Sequence, residues 1–167
     1  MGVISPLIAQ NKLMRKKNSE MKRIKLIFIF FMLGLFMKLE AQKIIGKVDN
    51  NVSQLTADKN VLLKNFNRNL LAASNIKGDF TDVSIVNHEN NYYLVFKGAT
   101  YKSTLQLSTQ TDATNATLLT VQSATISCTT SDCVSESFGC IPNNTSCTPC
   151  ANKGKCTKTV SQNSLLD

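Results

Sequence analysis

Very little catalytic equipment is present in this chain. It holds one histidine, His88, and lacks a glycine-rich phosphate loop, a Gly-x-Ser-x-Gly nucleophile turn and a His-Glu-x-x-His metal motif. Its first 127 residues contain no cysteine. No internal repeat is visible, and no apolar run reaches the ~20 residues that a membrane-spanning helix needs. These absences exclude nucleotide-binding loops, serine-hydrolase elbows and zincin sites. His88 lies among turn-forming residues beside Glu89, the pattern of a solvated loop histidine rather than of a general base.

What is there begins with a leader. Met21-Lys22-Arg23-Ile24-Lys25, the 12-residue apolar run Leu26–Met37 and the small residue Ala41 match the three parts of a secretory signal peptide. Residues 21–41 are therefore expected to be a signal peptide. Residues 1–20 are read as a basic extension or a mis-assigned start, leaving no permanent membrane span after cleavage. The leader also holds most of the excess charge. From Gln42 onward there are 11 basic and 9 acidic residues, so the chain's formal charge of +8 falls to +2. A nearly neutral body gives no reason to expect nucleic acid as a partner.

Residues 42–127 suffice for one small core. Lys43–Val48 reads as a strand closed by the turn-forming Asp49-Asn50-Asn51. Leu62, Phe66, Leu70 and Ala73 recur at helical spacing, with Thr56 as expected N-cap, Asp58 near the positive end of the dipole, and Asn67 on the wet face. After Gly78 the period becomes strand-like. Asp82–Val86, Tyr92–Phe96, Tyr101–Leu107 and Leu118–Ile126 are expected strands, joined by the loops Asn87–Asn91 and Ser108–Ala116. Alternation puts Tyr92, Leu94 and Phe96 on one side and Tyr93 and Val95 on the other. One set is core; the other is either a recognition surface or covered by a second layer.

The expected fold class is α+β: one amphipathic helix packed on an antiparallel meander of about four strands, followed by a loop-rich, disulfide-stapled C-terminal segment. In outline it resembles cystatin-like folds, a likeness of architecture that implies no activity.

All six cysteines fall in residues 128–156: Cys128, Cys133, Cys140, Cys147, Cys150 and Cys156. An even number in an exported chain predicts three disulfides, among 15 possible pairings that spacing does not separate. The bridges would order a segment that has little apolar surface to bury. A zinc site would need a second two-residue knuckle or a Cys/His pair beside Cys147 and Cys150; neither is present, and no metal or cofactor is expected. Cys147-Thr148-Pro149-Cys150 resembles the active-site motif of the thioredoxin superfamily, which implies a redox pair with a reactive first thiol. Pro149–Thr157 resembles the first half of an EGF-like module, implying a small loop in which Gly154 takes positive φ.

Two function classes follow. The leading one is an exported, extracytoplasmic binding or interaction module without catalysis. Its candidate contact residues are Asn143, Asn144, Asn152, Lys153 and Lys155, and its partner is a protein or surface ligand outside the cytoplasm. The alternative is an exported thiol–disulfide oxidoreductase using Cys147 and Cys150. Residues 157–167 are read as a flexible tail.

Overall fold

The computed structural model describes residues 43–160 except Ser123 and Asn144. The expected extension (1–20), the signal peptide (21–41) and residues 161–167 of the expected tail lie outside the described residues.

The chain starts as a hairpin of β1 (Lys43–Asp49) and β2 (Val52–Leu55). Asn50 and Asn51 both take left-handed φ, as a two-residue turn between antiparallel strands requires. Helix α1 (Lys59–Ser74) follows. Its N-cap is Asp58, not Thr56: the Asp58 carboxylate accepts from the N–H groups of Asn60 (2.8 Å) and Val61 (3.1 Å). Thr56 belongs to the preceding connection, where its own N–H donates to the carbonyl of Ile45. The helix ends at Asn75, which is left-handed and donates to the Leu71 carbonyl.

Next come β3 (Phe80–His88), β4 (Asn91–Gly98) and β5 (Lys102–Gln106). Glu89 and Asn90, both at positive φ, make the β3–β4 turn, so the expected loop Asn87–Asn91 shrinks to two residues. β6 (Ser108–Thr111), β7 (Thr117–Val121), β8 (Ile126–Thr130), β9 (Ile141–Asn143), β10 (Ser146–Thr148) and β11 (Thr157–Val160) complete the order. Thr157–Val160, expected to begin a tail, instead pair with β8.

The described strands form an α+β fold that is mostly antiparallel sheet with one helix. They do not make one meander. β2-β1-β7-β6 form one sheet, β11-β8-β5-β4-β3 a second, and β9-β10 a small hairpin. The chain crosses between the two sheets at Leu107, where the expected strand Tyr101–Leu107 breaks, and again between Val121 and Ile126, where the expected strand Leu118–Ile126 divides into the end of β7 and the start of β8. Leu107 is buried and donates its N–H to the Tyr92 carbonyl (2.8 Å), and the next four residues pair with β7 in the other sheet. The polar run Ser108–Thr111 reads as loop in the sequence because it lacks an apolar face. Its backbone pairing, rather than side-chain burial, makes it a strand.

The five-stranded sheet is covered on both faces. On one, Val83, Leu94, Phe96 and Leu105 join Leu62, Phe66 and Leu70 of α1 and Ile45, Leu119 and Val121 of the four-stranded sheet in a single buried cluster. Toward β8 and β11 this face becomes polar, where hydroxyls pair as Ser103–Thr129 and Ser127–Thr159. The opposite face carries Tyr93, Val95, Lys102, Thr104 and Cys128, all buried. What buries them is the cysteine-rich segment.

Candidate functional site

Residues 131–156 form a cap over the outer face of the five-stranded sheet. Backbone chemistry holds its two arms together. The Asp132 carboxylate accepts from the Lys155 N–H (2.8 Å), the Thr130 hydroxyl donates to the Lys155 carbonyl (2.8 Å), and the Glu136 carboxylate accepts from the N–H groups of Ala151 and Asn152. The cap is then fastened to the sheet. Thr104 donates its hydroxyl to the Phe138 carbonyl, and Lys102 donates its ammonium to the Glu136 carbonyl. Burial beneath the cap, with Lys97 nearby, holds the Lys102 ammonium below its ordinary pKa against the opposing pull of Glu136. Phe138 lies on the His88 ring at 4.5 Å and edge-on to Tyr93 at 6.3 Å. Burial, together with the Glu89 charge, pushes the Tyr93 phenol up.

Three disulfides staple this arrangement: Cys128–Cys147, Cys133–Cys150 and Cys140–Cys156. Each joins a cysteine to the third one after it, so every loop encloses one cysteine from each of the other two. Cys128–Cys147 differs in kind from the others, because Cys128 is in β8 and Cys147 in β10. It bolts the β9–β10 hairpin onto the sheet. The other two converge: the Cys140 and Cys150 sulfurs lie 3.5 Å apart, and the sulfurs of Cys133, Cys140 and Cys150 fall within 4.8 Å of one another. Among the described residues no cysteine is free, so this sulfur cluster is two touching bridges and offers no thiolate.

This pairing corrects the redox reading of Cys147-Thr148-Pro149-Cys150. Its two cysteines belong to different bridges, because β10 directs Cys147 toward β8 while Cys150 lies in the turn beyond. There is no Cys147–Cys150 bond to break and reform. The EGF-like expectation for Gly154 is also corrected. Lys153 is the residue at positive φ (62°), while Gly154 is required for close approach, since a Cβ there would sit 2.6 Å from that of Asp132.

The cap and the sheet do not close completely at one end. A cavity of about 280 Å³ opens between the β3–β4 turn and the β9–β10 hairpin, lined among others by His88, Asn91, Tyr93, Gln106 and Asn143. A second, of about 330 Å³, lies beyond it beside Leu107, Gln122 and Ile126. Gln106 and Pro142 line both, so the two cavities adjoin across these side chains and together make up the groove at this end. No family model, curated protein or solved structure matches this chain.

Of the four candidate contact residues among the described residues, only Asn143 borders that groove. Asn152 spends its side chain inside the cap, donating to the Asp132 carbonyl and accepting from the Gly154 N–H. Lys153 and Lys155 lie on the cap, away from the groove lining, and Asn144 lies outside the described residues. Asn91, Tyr93 and Gln106 do not stand out as a group in the sequence. Their one-dimensional signal is weak: a turn flank, an aromatic strand and a strand end. His88, expected in a solvated loop, is instead the last residue of β3, with its ring against Phe138.

Proposed function

We propose that this protein is an exported, extracytoplasmic binding module without catalytic activity, and that its ligand site is the groove between the stapled cap and the end of the five-stranded sheet. The observation that carries this reading is the cap itself. Its three interleaved bridges consume every described cysteine and hold one wall of the groove rigidly over the other. A wall ordered before binding loses less entropy when a ligand arrives. Bridges of this number suit an oxidising compartment, consistent with the signal-peptide pattern of residues 21–41. Among the described residues no helix is long and apolar enough to cross a membrane. The near-neutral body favours a protein or surface ligand over nucleic acid.

Cell fractionation with thiol counting tests this proposal. The expected result is an extracytoplasmic protein without the leader, with no alkylatable thiol before reduction, and with no catalysis of insulin reduction by a dithiol. Cytoplasmic protein with free thiols would overturn it. So would insulin reduction that disappears in Cys147→Ser.

A further inference from the structure

We infer that the groove takes a neutral saccharide of at least two rings, an inference that rests on the groove being the ligand site. Three features of its lining lead there. The first is charge. Besides the Tyr93 phenol, Glu89 and His88 at one end are the only acidic or basic side chains among the described residues that line either cavity, and no lysine or arginine does. Phosphates, carboxylates and nucleic acid therefore find no lysine or arginine to pair with. The second is the kind of polarity. Asn91, Gln106 and Asn143 in one half and Gln122 in the other are primary amides. Each amide offers donors and an acceptor from one side chain, which matches hydroxyl groups that also do both. Gln106 and Asn91 already stand side by side, the Gln106 amide donating to the Asn91 side-chain oxygen Oδ1 at 3.4 Å. That long bond is weak; the Asn91 amide also donates one N–H to the Glu89 backbone carbonyl at 3.2 Å, which leaves its second N–H and the remaining Gln106 donor and acceptor for a ligand.

The third feature is the apolar remainder. Ile141 and Pro142 line the first half, and Leu107, Ile126 and Pro142 the second. A pyranose ring has the same division, with hydroxyls around its rim and C–H groups on its faces. Two cavities of about 280 and 330 Å³ sharing Gln106 and Pro142 suit two linked rings better than one. Strand β5 is paired by β4 and by β8 and offers no edge for strand addition, but β9 and β6, which also line the groove, are each unpaired on one side, so an extended peptide is the competing ligand that the test must include.

The test is titration of the oxidised protein, followed by amide NMR, with glucose, cellotriose, maltotriose, xylotriose and triacetylchitotriose at millimolar concentration. A neutral blocked peptide, Ac-Gly-Ala-Gln-Ala-NH2, serves as the comparison. At least one trisaccharide should shift Asn91, Gln106 and Asn143, and bind more tightly than glucose. Gln106→Ala should weaken it about tenfold, the loss of one or two hydrogen bonds, with the disulfide pattern and circular dichroism unchanged. Asn143→Ala, on the exposed hairpin, repeats the test where folding is not at risk. If the peptide shifts these residues and no saccharide does, the saccharide is wrong while the groove remains the ligand site. If neither does, both the saccharide and the groove as ligand site are wrong.

Discussion

The ring of Phe66, on the helix, stacks on the ring of Phe96, on β4, with centroids 3.9 Å apart and planes 8° from parallel. Phe80 meets both, at 5.3 Å and 6.0 Å. This trio joins α1 to the sheet. Phe96→Ala is expected to cost about 3–5 kcal/mol in urea denaturation. In a double-mutant cycle with Phe66→Ala, the two changes should couple by about 0.5–1.5 kcal/mol, because each removes the other's partner. Simple additivity would show that the stack adds nothing beyond burial.

Asn67 anchors the same helix by a second route, and its role is backbone satisfaction. Its amide donates to the Phe80 carbonyl (3.2 Å) and accepts from the Phe80 N–H (3.3 Å). Asn67→Ala should therefore destabilise the protein by about 1–3 kcal/mol, the range for leaving part-buried backbone groups without partners. Amide exchange at Phe80 should accelerate more than elsewhere in β3. A uniform loss of protection would mean that Asn67 acts through global stability alone.

The Cys128–Cys147 bridge closes a loop with a sequence separation of 19. Replacing both cysteines by alanine should cost about 3 kcal/mol. The β9–β10 hairpin should lose exchange protection first, while the β3–β4 hairpin keeps its own. If both hairpins loosen together, the cap and the body form one cooperative unit and the bolt is not local.

Asp79 makes stability depend on acid pH. Burial pushes its carboxyl up, but the N–H groups of Thr100 (2.6 Å) and Tyr101 (3.3 Å) outweigh that effect and hold it below the usual aspartate value. A carboxyl lower in the folded state than in the unfolded state adds stability above its unfolded pKa. That contribution disappears as the pH falls through the lower folded value. Wild-type stability should accordingly drop through the acid carboxylate range, and Asp79→Asn should flatten part of the drop. Further parts belong to Asp82, lowered by Lys59, and Asp112, lowered by Thr114 and Ala116. Gly98→Ala supplies an independent check, since its Cβ would collide with an Asp79 carboxylate oxygen. It should destabilise Asp79→Ala, which lacks the colliding oxygen, less than it destabilises the wild type; the Asp79 backbone carbonyl, 2.8 Å from the same Cβ, accounts for the remaining cost.

Where side-chain pattern and local structure agree, the sequence is legible. Leu62, Phe66 and Leu70 share one helical stripe, and that stripe is buried. Tyr92–Phe96 lies within β4, and the Asn50-Asn51 turn stands where its residues tolerate left-handed backbone. The sequence misleads where polarity is taken as exposure. Lys102, Ser103 and Thr104 look like a half-exposed strand, yet all three are buried between the core and the cap. Ser127 and Thr159 are buried as a hydroxyl pair. The groove is not legible in the sequence because Asn91, Gln106 and Asn143 come from three separate strands and have no shared spacing.

Sequence alone determined the helix, the strands β1, β3, β4, β5 and β7 among the eleven described, and the presence of six cysteines in a segment too poor in apolar residues to hold itself together. Helical periodicity, strand propensity and composition act over short stretches of chain, so they can be read one residue after another. Only the tertiary structure decided which cysteines pair, that the chain crosses between two sheets at Leu107, and that the stapled segment covers Val95 and leaves Tyr93 only a place in the lining of the groove. Those outcomes depend on contacts between residues far apart in the chain. The energy of burying one face against another is set by what arrives to cover it, and that partner is not encoded in the local pattern of either segment.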